Sequence, residues 1–176
     1  MKLEINNTVL ELAQGDITKQ KTEAVVNAAN KRLAPGGGVA GAIHNAAGPK
    51  LWKECKKLNG CETGEAKITK GYQLPAKHVI HTVGPVYSDS PKDPELLASC
   101  YQESLKLAEK NNIKSITFPA ISTGAFGYPT NEAAKIALET VIDYIKNGTG
   151  IELIRFVLYN SSTFDVHQET LQSINI

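Results

Sequence analysis

Two glycine-rich loops, each directly after a short apolar run, constrain this chain more than any bulk property. The first follows Ala24-Val25-Val26 and reads Asn27-Ala28-Ala29-Asn30, then Lys31 to Pro35, then Gly36-Gly37-Gly38-Val39-Ala40-Gly41. Three consecutive glycines carry a large cost in backbone entropy, so they belong where the chain turns tightly and a ligand approaches backbone N–H groups. A helix is expected to start near Val39, and its free N–H groups and positive dipole end face the same space. A plain flexible turn is the alternative. A strand before the glycines and a helix after them favour an anion site suited to phosphate.

The second loop follows Ser115–Phe118 and reads Pro119-Ala120-Ile121-Ser122-Thr123-Gly124-Ala125-Phe126-Gly127-Tyr128-Pro129. Its successive N–H groups suit a concave nest for an anion. Phe126, between two glycines, either presses on a sugar face or tucks into the core. Neither loop fits the dinucleotide-binding Gly-x-Gly-x-x-Gly context or the Gly-Lys-Ser/Thr of a nucleotide-triphosphate loop. Two such loops at two strand ends suggest a diphosphate gripped from both sides.

The rest of the chain alternates strand-like and helix-like segments. Val9–Ala13, Ala24–Val26, His78–Val83, Ser115–Phe118 and Leu153–Tyr159 are expected strands, from their alternation or their β-branched and aromatic content. Asp93 is expected to cap a helix with Pro94 in its first turn and Leu97, Tyr101, Leu105 and Ala108 on one face. Thr130 is expected to cap the next helix, with Ala134, Ala137, Leu138, Val141 and Ile145 as its apolar stripe and Asn147-Gly148 as its stop. Thr163–Ile174 reads as a short terminal helix. This order predicts a mostly parallel sheet covered on both faces, with ligands outside the carboxyl ends of the strands. Two further residues lie there. Asp16 is a good acceptor for an exocyclic amino group such as that of adenine, although locally a cap for Ile17-Thr18 is the stronger reading. Tyr159 either stacks on a base or covers the sheet edge.

Lys and Arg number 19 against 18 Asp and Glu in 176 residues, so the net charge is +1. That balance gives no support for broad electrostatic binding to nucleic acid or to an acidic membrane. Lys50, Lys53, Lys56 and Lys57 cluster, and a solvated helix face is the simpler account of them. Cys55, Cys61 and Cys100 are odd in number and form no ligand cluster, so they are expected to be packed thiols, with neither disulfide nor metal. No secretory signal or membrane-length apolar stretch is visible, and a cytoplasmic location and a monomer are the expectations.

Taken together, Gly15-Asp16-Ile17-Thr18, Asn27-Ala28-Ala29-Asn30, Gly36-Gly37-Gly38-Val39, Ala42-Ile43-His44, Ala46-Ala47-Gly48, His81-Thr82-Val83-Gly84-Pro85 and Phe118-Pro119-Ala120-Ile121-Ser122-Thr123-Gly124 resemble the macrodomain family. The resemblance runs in order along nearly the whole chain. It is nearest the branch containing O-acetyl-ADP-ribose deacetylases and mono-ADP-ribosyl-protein hydrolases. It implies one domain over residues 1–176, an α/β fold in the form of a three-layer α/β/α sandwich, and a central mixed, mostly parallel sheet of about six strands. It implies ADP-ribose or its derivatives as ligand, mono-ADP-ribosylated proteins as partners and no cofactor beyond the ligand; with no metal-ligand cluster in the sequence, metal-independent behaviour is the expectation. By resemblance Asp16 accepts from the adenine amino group with Ile17 beside the ring, and Tyr159 stacks nearby. Asn30 bonds the distal ribose, and Asn27 supports its loop from within. Gly37, Gly38 and Val39 line the diphosphate and distal ribose. Ser122, Thr123, Gly124, Ala125 and Phe126 wrap the diphosphate, with Phe126 against the distal ribose.

One position departs from the hydrolytic pattern. Many hydrolytic members read Gly-Gly-Gly-Val-Asp-Gly, with the aspartate orienting or activating water, and this chain has Ala40. Alanine neither takes a proton nor holds a water by its side chain. The readings are therefore an ester hydrolase whose substrate assists the reaction, with Asn30 and Phe126 orienting the ribose, or a non-catalytic ADP-ribose reader. His44, one turn beyond Ala40, is expected to be a satisfied structural histidine, and His81 a core or locally bonded one.

Overall fold

The computed structural model describes every residue from Met1 to Ile176. Seven strands form one sheet: β1 (Lys2–Ile5), β2 (Thr8–Gln14), β3 (Ala24–Ala28), β4 (Ala66–Lys70), β5 (His78–Thr82), β6 (Ser115–Phe118) and β7 (Leu153–Leu158). Their order is β1-β2-β7-β6-β3-β5-β4. The inner neighbours pair in parallel, and the two edges, β1 on β2 and β4 on β5, are antiparallel. The expected mixed, mostly parallel sheet is present with seven strands in place of about six.

Period-two alternation divides the sheet's side chains between two cores. Ala24, Val26, Ile80, Ile116, Phe156 and Leu158 belong to the larger one, whereas Val25, Val79 and Val157 belong to the smaller. Helices α1 (Gly38–Ala47) and α2 (Pro49–Lys56) supply Ile43, Ala47, Leu51 and Cys55 to the smaller core. Helices α3 (Lys92–Lys110), α4 (Thr130–Lys146) and α5 (Ser161–Ser173) cover the other face. Tyr101, Phe118 and Phe156 pack with ring centroids 5.1–5.9 Å apart at the centre of the larger core.

Two expected caps are corrected. Helix α3 starts at Lys92, and Asp93 lies inside its first turn. The Asp93 carboxylate accepts from the N–H groups of Ser88 at 2.9 Å and Ser90 at 3.2 Å, so it folds back onto the preceding loop. Thr130 is the first residue of α4 and makes no capping bond, because Pro129 already sets the entry. The three cysteines are free and buried. No helix is long and apolar enough to cross a membrane.

Candidate functional site

The carboxyl ends of β2, β3, β5, β6 and β7 open onto one cleft made of two joined cavities. The larger, about 560 Å³, is bounded by Asp16, Ile17, Thr123, Tyr159 and Asn160 among others. The smaller, about 280 Å³, is bounded by Asn30, Gly37, Ala40, Ser122, Ala125 and Phe126 among others. Gly38, Val39, Ala120 and Gly124 border both, which makes the two glycine-rich loops the waist of a single groove.

Each loop offers unpaired donors at that waist. Helix α1 begins at Gly38 with Gly37 as its cap and no side-chain capping bond, so its first N–H groups are unspent. Gly38 has φ +55°, the left-handed region that favours glycine, at the point where the loop turns into the helix. In the second loop the N–H groups of Gly124, Ala125 and Phe126 donate to no backbone acceptor. The loop is pinned from outside: Tyr128 N–H bonds Ser122 O at 2.9 Å, Tyr87 N–H bonds Phe126 O at 2.8 Å, and Ile121 N–H reaches the buried Tyr101 hydroxyl at 3.3 Å. Ser122 holds φ +68°, a costly conformation for a residue with a side chain, and its buried hydroxyl has no protein partner. Fixed N–H groups from two directions, one set at a helix start, suit a diphosphate.

At the larger cavity both readings of Asp16 hold together. One carboxylate oxygen accepts from Thr18 N–H at 2.9 Å and from the Thr18 hydroxyl at 2.7 Å, capping the short turn Ile17–Lys19. Those bonds, the hydroxyl's first, hold the carboxyl below the ordinary aspartate range. The second oxygen has no protein partner and remains able to accept from an amino group. Tyr159 is 82% exposed and stands as a wall of this cavity.

At the smaller cavity Asn30 spends most of its side chain on its own loop. Its amide donates to Ala34 O at 2.9 Å, and its oxygen accepts from Arg32 N–H at 3.1 Å and Ala34 N–H at 3.0 Å. Phe126 is half-buried and faces the cavity edge. Ala40 is buried in the first turn of α1 and borders the same space.

Asn27, expected to support its loop from within, lines neither cavity. It is fully buried beneath the loop, with its amide 3.0 Å from His81 Nδ1. His81 in turn bonds the Thr69 hydroxyl at 2.9 Å through Nε2. The donors fix its tautomer: Nδ1 accepts from Asn27 and Nε2–H donates to Thr69. His44 departs from the satisfied state expected of it. Both of its ring nitrogens are buried without a protein partner, and burial lowers its pKa. The His44 ring lies between two others, its centroid 6.5 Å from that of Trp52 and 6.5 Å from that of His81. No group of three or more His, Cys, Asp or Glu side chains converges as metal ligands would.

Several wall residues carried no sequence assignment. Gly15, Gly84, Asn160 and Thr163 border the cleft. Gly84 had a readable signal, a glycine immediately past a strand end. A Cβ there would lie 2.1 Å from the Ser122 hydroxyl oxygen and 2.7 Å from Ile121. Its bare backbone therefore lets the second loop close onto the end of β5.

Residues 26–137 match the family described as Macro domain. A Macro domain-containing protein of Methanosarcina mazei is 51% identical over 175 residues, covering 99% of this chain and 94% of that protein. The human protein named ADP-ribose glycohydrolase MACROD2 is 49% identical over 165 residues, 92% of this chain but 39% of its own length. Among solved structures, the Oceanobacillus iheyensis macrodomain with ADP superposes with a TM-score of 0.95 at 46% identity, covering 98% of this chain and 94% of that one.

Proposed function

Because this chain belongs to the macrodomain family, we propose that it binds ADP-ribose along the cleft and hydrolyses ester-linked ADP-ribose. The substrates on this reading are O-acetyl-ADP-ribose or Asp/Glu side chains of mono-ADP-ribosylated proteins. The observation that carries it is the pair of unpaired N–H sets on the two loops that border the same waist, with one cavity on either side. The diphosphate sits at the waist. Adenine lies in the larger cavity against Ile17, Tyr159 and the free oxygen of Asp16, and the distal ribose lies in the smaller one near Asn30 and Phe126. Similarity to a relative named as an ADP-ribose glycohydrolase supports turnover.

The chemistry has to proceed without a side-chain base at position 40. A water held between the diphosphate and the Gly36–Gly38 loop adds to the ester carbonyl or to the anomeric carbon. A phosphate oxygen takes its proton. The ester C–O bond breaks, and the proton passes to the leaving oxygen, giving a carboxylic acid and ADP-ribose. Asn30 keeps its loop in shape and Phe126 limits ribose motion, both of which act through orientation.

Ala40 favours a second reading, a reader that binds ADP-ribose without turnover. Release of ADP-ribose from a glutamate-modified protein, followed for this chain and for Ala40→Asp, separates the two. The hydrolase reading expects turnover by the unaltered chain that falls about tenfold or more in Asn30→Ala and Phe126→Ala. No turnover by the unaltered chain alongside turnover by Ala40→Asp assigns a reader.

A further inference from the structure

We propose that a basic rim beside the smaller cavity receives an acidic segment of the protein that carries the ADP-ribose. The proposal rests on the cleft reading above, which puts the distal ribose, and so the attached protein chain, at that end.

The rim comes from two separate stretches brought together by the fold. Lys31 O accepts from Cys61 N–H at 2.9 Å, and a Cβ on Gly60 would lie 2.8 Å from the same oxygen, so the loop after β3 lies against the turn after α2. Lys57 is three residues before Gly60, a reach of at most about 10 Å. Arg32 is tied through its backbone N–H to the Asn30 side chain, which borders the cavity. Lys53, Lys56 and Lys57 occupy one face of α2 and its end, opposite the buried Leu51 and Cys55. Lys31, Arg32, Lys53, Lys56 and Lys57 are all exposed.

None of the five has a carboxylate partner; the ion pairs of the chain are Lys106–Glu103 and Arg155–Glu11. Glu54, the acid within α2, is taken up by the Tyr72 hydroxyl at 2.6 Å and Lys70 N–H at 3.1 Å. Glu62 follows the contact at Cys61 and leaves the rim net positive. In a chain of net charge +1, five cations without a carboxylate partner in one place, Lys56 among them with its ammonium 5.4 Å from the centre of the Trp52 ring, are a local concentration and not a general bias. Favourable placement at a helix C-terminus accounts for Lys53 and Lys56, but Lys31 and Arg32 belong to no helix. A surface of this charge, at the end where a modified Asp or Glu would emerge, complements a peptide with further acidic residues around the modification.

The test compares three probes by calorimetry: free ADP-ribose, an acidic peptide carrying ADP-ribose through a hydrolysis-resistant triazole link, and the same peptide with its acids changed to amides. The variant combines Lys31→Gln, Arg32→Gln, Lys56→Gln and Lys57→Gln. In low salt the unaltered chain is expected to bind the acidic peptide about tenfold more tightly than the amide peptide, and the gap should close in about 0.5 M salt. The variant should lose the gap and keep its affinity for free ADP-ribose. Equal affinity for the two peptides, or a preference that survives in the variant, overturns the rim while leaving the cleft reading intact. Failure to bind free ADP-ribose overturns both. A single-stranded oligonucleotide without ADP-ribose that binds the unaltered chain as tightly as the acidic peptide, and not the variant, would make the rim a nucleic-acid surface and overturn the peptide assignment.

Discussion

Gly41 lies inside α1, where alanine ordinarily improves a helix by about 1 kcal/mol. Here the sign should reverse. A Cβ at Gly41 would lie 2.3 Å from the carbonyl oxygen of Gly36, which is backbone and cannot swing aside as a side chain would. Gly41→Ala is therefore expected to cost about 1–3 kcal/mol in urea unfolding, as overpacking does, and to weaken ADP-ribose binding by pushing Gly36 and Gly37 out of place. A stabilised variant with unchanged affinity would show that the loop's position does not depend on this contact. Asn30 illustrates the same economy at the next position of the cleft. Its side chain closes a five-residue loop on itself before any ligand is present, so its effect on a ribose is partly that of a backbone already in shape.

The elements that position the site were legible in the sequence because they are buried on both sides. β3, β6 and β7 read as strands since their residues meet a core above and below, and the helices that cover them carry clear apolar stripes. What escaped were the two edge strands. Lys2–Ile5 and Ala66–Lys70 carry charges and one-sided burial, so neither has the apolar run of a central strand. The cleft's loops were legible for a different reason: glycines placed after strands have few structural uses. Asn27 was read as an internal support for its loop, but its partner was not legible, because nothing in the sequence pairs its amide with His81, 54 residues on. Tyr101 shows a contact that periodicity cannot reveal. It sits on the apolar face of α3 as expected, yet its hydroxyl accepts from Ile121 N–H at the start of the second loop. Tyr101→Phe should leave that buried N–H unpaired at a cost of about 1–2 kcal/mol. Amide exchange at Ile121 and the residues after it should quicken in the variant, and exchange rates equal to those of the unaltered chain would remove Tyr101 from any role in holding the loop.

Across the whole molecule, a buried polar ladder, Asn27 to His81 to Thr69, crosses β3, β5 and β4 on the face of the sheet that meets the smaller core. This ladder makes stability depend on pH in a defined direction. Burial, with the His44 ring beside it, holds His81 from its ordinary 6.5 down to about 3. The unfolded chain takes up a proton at this residue below about 6.5, and the folded chain does not until about 3. The stabilisation from neutral His81 is thus complete above 6.5 and lost as pH falls, at about 1.4 kcal/mol for each pH unit within that window. His44 and His167, also lowered by burial, act in the same direction. Asp16 and Asp93 contribute only in more acidic solution, since Thr18 and Ser88 hold both below their ordinary 3.8. Urea unfolding at pH 7, 6 and 5 should therefore show a decline that begins well before any carboxylate titrates. In His81→Gln the absolute stability drops, so the informative quantity is the slope, which should be shallower by about one proton. An unchanged slope in that variant would mean that His81 gains its proton in the folded state at an ordinary pH, and that the ladder across β3, β5 and β4 opens far more readily than its bonds imply.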